Sequence, residues 1–118
     1  MPSQLEELSE HIHKFCLARG WKQFHNPKDL AISICLEASE VLEHFQWKSE
    51  KEIAQYIKTH KEEVADELAD VFVYLLTISR DLDIDLAQAL KDKMAKNAKR
   101  YPVEKAKGNY KKHGQLGG

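Results

Sequence analysis

The chain has 118 residues, 42% of them hydrophobic and 31% charged, with 18 Lys or Arg against 19 Asp or Glu. That is one domain's length and an ordinary globular composition. The formal net charge of −1 excludes a strongly basic chain that wraps nucleic acid and gives no sign of an acidic tail, so no stable nucleic-acid binding is expected. No apolar run approaches the ~18 residues a membrane span needs, so no membrane partner is expected. The polar start Met1-Pro2-Ser3-Gln4-Leu5-Glu6 does not read as a signal peptide. Cys16 and Cys35 form no CxxC, which favours reduced thiols and a cytoplasmic setting over a disulfide scaffold.

Apolar spacing is helical nearly throughout. Leu5, Leu8, Ile12, Phe15 and Cys16 follow the three-four rhythm of one helix face. Ser3 with Glu6 reads as a capping box at its start, and Gly20 as its end. Asn26-Pro27 starts a second helix, since Asn caps and Pro fits the first helical position. That helix is expected to run to His44 or Phe45. Ser49 with Glu52 restarts a short helix, and Thr59 with Glu62 begins another that carries apolar residues through Leu82. Asp85 caps a last helix that must end near Tyr101, because Pro102 disfavours helix in the residue before it. No run of period-two alternation is long enough for a strand. The expected fold is all-α, a helical bundle of four to five helices. It occupies residues 1–102 as one domain, with a polar tail over 103–118.

Two of these helices are apolar nearly all the way round. On the second, Leu30, Ala31, Ile34, Cys35, Ala38, Val41, Leu42 and Phe45 fill one broad side, and Ile32 and Leu36 lie nearly opposite. The polar wedge left over holds Asp29, Ser33, Glu37, Glu40 and His44. On the helix after Thr59 the wedge holds Glu63, Asp66, Glu67, Asp70, Tyr74, Thr77 and Asp81. A helix of this kind belongs in a core, where a row of carboxylates needs compensation. The apolar surface also exceeds what one small bundle can cover, which predicts a homo-oligomer.

Glu37-Ala38-Ser39-Glu40 is ExxE and Glu67-Leu68-Ala69-Asp70 is ExxD. Residues three apart are neighbours on a helix, so face-to-face packing would bring four carboxylates together. Such a group must take up protons or gather cations. Oxygen ligands without imidazole or thiolate suit Mg²⁺, with Mn²⁺ possible, and Mg²⁺ favours substrate phosphates as further ligands. Carboxylate pairs at this spacing are also common on solvated surfaces; their place in the sole polar wedge of each helix sets these apart. A di-iron bundle would use Glu-x-x-His, and here the fourth residue is Glu40 or Asp70. On the last helix Lys93, Asn97 and Arg100 share a face and suit phosphate; a solvated basic face has the same pattern. Trp21, Phe24 and His25 fall in one loop, and Phe45, Gln46 and Trp47 in the next. Loop aromatics close a core or stack on a planar ligand. His11 and His13 lie on different faces, and His60 and His113 have no evident partners.

These segments, namely Gln23-Phe24-His25-Asn26-Pro27, the two acidic motifs, Phe45-Gln46-Trp47-Lys48-Ser49, Asp66 through Val71, Lys93-Met94, and Asn97 through Val103, are similar in order and spacing to the all-α nucleotide pyrophosphohydrolases of the MazG-like superfamily. Within that superfamily the chain most resembles the dCTP pyrophosphatase branch. The resemblance covers about residues 5–112. It implies Mg²⁺-dependent cleavage of a nucleoside triphosphate between the α- and β-phosphates, giving monophosphate and pyrophosphate. The substrate class it implies is dCTP or modified cytosine nucleotides, in a nucleotide-pool house-cleaning role. It implies that Glu37, Glu40, Glu67 and Asp70 hold the metal as the catalytic centre. Trp21, His25, Trp47 and Tyr74 would surround base and sugar, with Lys93, Asn97 and Arg100 nearer the phosphates. Homodimers or dimers of dimers with shared sites are implied as well. Glu63 or Asp66 is a candidate proton acceptor. The rival class is a non-catalytic helical dimerisation module that binds a basic partner through the acidic wedge.

Overall fold

A computed structural model describes residues 1–108, and every described regular element is helical. Helix α1 spans Gln4–Ala18, followed by a 3-10 turn over Trp21–Phe24. Helix α2 spans Pro27–Phe45, α3 Glu50–Asp81, α4 Leu86–Arg100 and α5 Val103–Ala106. No described helix is long and apolar enough to cross a membrane.

The helix boundaries follow local chemistry. Ser3 Oγ accepts from the Glu6 amide, and Asn26 Oδ1 accepts from the Asp29 amide with Pro27 in the first turn. Each bond satisfies a donor that the first helical turn leaves unpaired. Ser49 and Glu52 form a full capping box at the head of α3, and Asp85 caps α4. Helix α1 closes through Arg19 and then Gly20, at φ 65°. Only glycine takes that left-handed conformation without steric cost.

The restart expected at Thr59 falls within one residue of the observed break: two helical segments meet at His60, without the Thr59–Glu62 capping box. One element runs from Glu50 to Asp81, broken only at His60, with φ −123° and ψ 20°. Thr59 does not cap; its hydroxyl donates to the Tyr56 carbonyl. A β-branched hydroxyl bonding back into the preceding turn bends a helix, and the break follows at the next residue, His60. His60 is not partnerless either, since its ring stacks on Tyr56 at 4.1 Å between centroids. The segment expected as a tail from residue 103 begins with the turn α5, and His113 lies outside the described residues.

The chain forms two compact units, divided after Ile84. In the first, α1 and α2 both pack on α3, which is the central element. Salt bridges Arg80–Glu10, at 2.9 Å, and Lys22–Asp81 tie the end of α3 to α1 and to the 3-10 turn. Such partly exposed pairs contribute roughly 0–1 kcal/mol each, so they orient more than they stabilise. Among the described residues the buried apolar side chains are few: Cys16, Leu30 and Leu76. Thr77 and Ser79 are buried with them, each hydroxyl donating to a carbonyl of its own helix. Meanwhile Ile32 is 48% exposed, Leu36 59% and Leu68 54%. The apolar faces that carry these residues are therefore uncovered within the first unit. The second unit carries α4 and α5. There Lys93 and Arg100 are exposed and Asn97 is half-buried, its amide facing Met94 Sδ at 4.0 Å.

Candidate metal centre

Packing of α2 on α3 turns the two acidic pairs toward each other. Carboxylate oxygens of Glu37, Glu67 and Asp70 all lie within 4.8 Å of one another. Glu40 lies close enough to Glu37 and Glu67 to raise the proton affinity of both, so all four residues meet. Glu37 and Glu67 are half-buried, while Glu40 and Asp70 face outward.

The crowding is visible in the proton affinities. The hydrogen bond to Glu40 pushes Glu67 up to about 7; desolvation and the charges of Glu40, Glu37 and Asp70 act in the same direction. Desolvation, then Glu40 and Asp70, raise Glu37. Carboxylates this close cannot all stay ionised unaided, so this group either holds protons or replaces them with a cation. A second observation agrees. Glu37 Oε2 and Glu67 Oε2 are buried atoms with no hydrogen-bond partner. Oxygens turned inward without a donor fit a hard divalent cation, and a donor set made of oxygen alone fits Mg²⁺ or Mn²⁺.

A pH prediction follows from the Glu67 shift. Its folded pKa of about 7 exceeds the ordinary 4.5, so the folded state binds that proton more tightly than the unfolded state does. Its stabilising contribution is complete below pH 4.5 and is lost as pH rises through about 7. In EDTA, the melting temperature of the unaltered chain should therefore fall relative to Glu67→Gln as pH goes from 5 to 8. Saturating Mn²⁺ should remove the difference in slope. Parallel pH profiles in EDTA would contradict the crowding.

The remaining sequence-predicted residues are distributed as follows. Trp21 and His25 flank one connection; Trp21 packs edge-on against Phe15 at 5.7 Å, and His25 Nδ1 is buried without a partner. Tyr74 lies one turn beyond Asp70 on α3 and is half-buried. Trp47 sits between α2 and α3, 91% exposed, with φ 68°. A bulky residue in the left-handed region is strained, and such strain concentrates at functional sites. Lys93, Asn97 and Arg100 belong to the second unit. Glu63 and Asp66 are exposed on α3. The sequence reading missed the cluster of His44, Tyr56 and His60. Its signal was an aromatic pair four apart, Tyr56 and His60, at a helix boundary.

Helices carrying facing ExxE and ExxD pairs define a class, and comparison with known proteins gives it a name. Residues 32–116 match the MazG-like family. The chain is 37% identical over 114 residues to mouse dCTP pyrophosphatase 1, covering 95% of this chain and 67% of that protein. Identity to the human dCTP pyrophosphatase 1 is 33% over the same length and the same shares. The crystal structure of a pyrophosphatase from Archaeoglobus fulgidus DSM 4304 superposes with a TM-score of 0.81 at 41% identity, over 86% of this chain and 95% of that one. The protein belongs to the MazG-like family and has its all-α fold.

Proposed function

We propose that the protein is a nucleoside triphosphate pyrophosphohydrolase that cleaves between the α- and β-phosphates, with dCTP or a modified cytosine nucleotide as substrate. The observation that carries this reading is the oxygen-only cluster of Glu37, Glu67 and Asp70, with Glu40 beside it and two inward oxygens lacking donors. Similarity to enzymes named dCTP pyrophosphatase 1 supports the enzyme class and suggests the base.

In this reading Glu37, Glu40, Glu67 and Asp70 hold Mg²⁺. Bound there, the ion would supply charge neutralisation and a more acidic water. The residues' own task is to keep four carboxylates close enough to favour a cation over protons. Glu63 or Asp66, exposed on the same helix, accepts the proton as water adds across the phosphoanhydride bond. Lys93, Asn97 and Arg100 are assigned to the phosphates by their charge and donors. Trp21, His25, Trp47 and Tyr74 are assigned to base and sugar. The uncovered faces of α2 and α3 are assigned to a second copy of the chain, as a dimer or tetramer.

A pyrophosphate-release assay over a panel of nucleoside triphosphates, with Mg²⁺, with Mn²⁺ and with EDTA, tests the reading. Release of pyrophosphate and monophosphate from a cytosine nucleotide, only with a divalent ion, is expected. No turnover of any triphosphate would leave the acidic wedge as a docking surface for a basic partner. Trp47→Ala provides a narrower check. A side chain 91% exposed contributes little to the fold of one chain. The substitution should keep the helices and raise KM roughly 5- to 150-fold, the equivalent of about 1–3 kcal/mol of stacking. A lowered melting temperature with unchanged KM would remove Trp47 from the base site.

A further inference from the structure

Carboxylates on two helices make a good cation site only if the helices keep their relative placement to within about 0.5 Å. The backbone alone does not guarantee this here. Helix α3 is broken at His60, so the direction of the segment bearing Glu67 and Asp70 is not dictated by the hydrogen-bond ladder of residues 50–59. A side-chain cluster spans the break. His44, one turn beyond Glu40 on α2, joins its Nδ1 to the Tyr56 hydroxyl. Their rings lie 5.7 Å apart, and Phe45 meets Tyr56 edge-on at 6.4 Å. Lys48 places its ammonium 4.4 Å from the centre of the Tyr56 ring. Tyr56 stacks on His60 with the ring planes 1° apart. His60 Nδ1 lies 2.7 Å from Thr59 Oγ1 and 3.2 Å from the Tyr56 carbonyl oxygen. Glu67 follows His60 by seven residues, two turns along nearly the same face.

The connections therefore close a circuit: Glu40 to His44 along α2, His44 to Tyr56 across the seam, Tyr56 to His60 at the break, and His60 to Glu67 along α3. We infer that His44 and Tyr56 are positioning residues for the carboxylate cluster, their hydrogen bond setting the angle at which the second segment of α3 presents Glu67 and Asp70 to Glu37 and Glu40. This inference rests on reading the cluster as a divalent-cation site.

The test is Mn²⁺ binding to the full chain, followed by electron paramagnetic resonance of the free ion, with melting temperature in EDTA measured alongside. Partners behind metal ligands typically change affinity about 10- to 100-fold, and this pair acts from one turn further away. Tyr56→Phe and His44→Leu should each weaken Mn²⁺ binding about three- to tenfold. The double variant should be no weaker than the worse single, because both remove one shared bond. His44→Asn, whose amide reaches the place of Nδ1, should bind within about twofold of the unaltered chain. A role in packing alone predicts the reverse order, with Leu tolerated, Asn destabilising and Mn²⁺ affinity of the folded protein unchanged. That result overturns the inference. If the unaltered chain binds no Mn²⁺, the site reading falls and the inference with it; the unaltered chain alone distinguishes that outcome from failure of the positioning role.

Discussion

Replacing Glu67 or Asp70 by Ala is expected to lower turnover at saturating Mg²⁺ by about a hundredfold or more, the upper range for residues that only support a ligand. The circular dichroism spectrum should stay helical, because neither side chain is among the fully enclosed ones. In EDTA the effect on stability should have the opposite sign. Glu67 carries a pKa of about 7 because Glu40, Glu37 and Asp70 crowd it. Removing one carboxylate relieves that repulsion at pH 8, and the melting temperature should rise by a few degrees. Loss of activity together with a gain in metal-free stability marks a site that spends stability on function. Full activity of either variant at saturating Mg²⁺ would remove the residue from the metal site.

The second large effect concerns assembly. Ile32 is 48% exposed in the single chain. For a monomer, Ile32→Lys would be a surface change, within about 0.5 kcal/mol of neutral. If α2 and α3 bury their outer faces against a second copy, the same change places an unpaired charge in an apolar interface, at a cost of about 3 kcal/mol or more. The unaltered chain should then be a dimer or tetramer that separates only as it unfolds. Ile32→Lys should dissociate at micromolar concentration and lose activity. Light scattering over a dilution series decides it. A folded monomer of the unaltered chain, fully active per chain, would refute the shared core.

The helix ends were legible because capping is local. Ser3, Asn26, Ser49 and Asp85 act within three residues of sequence, and no distant contact is needed to predict them. Thr59 marked the place of a break, though the device there is not a cap. Its spacing to Glu62 matches a capping box, yet its hydroxyl donates back to the Tyr56 carbonyl, and the two helical segments meet one residue later, at His60.

By itself the sequence determined the helical elements, the acidic pairs at i and i+3, and the apolar excess on α2 and α3. Each is a matter of periodicity along one helix. Tertiary structure alone decided that Glu37, Glu67 and Asp70 bring their oxygens within 4.8 Å of one another, and that Glu40 stands beside Glu37 and Glu67. Those outcomes depend on the placement of one helix against another, and a helix's own residues state which face is acidic without stating what that face will meet.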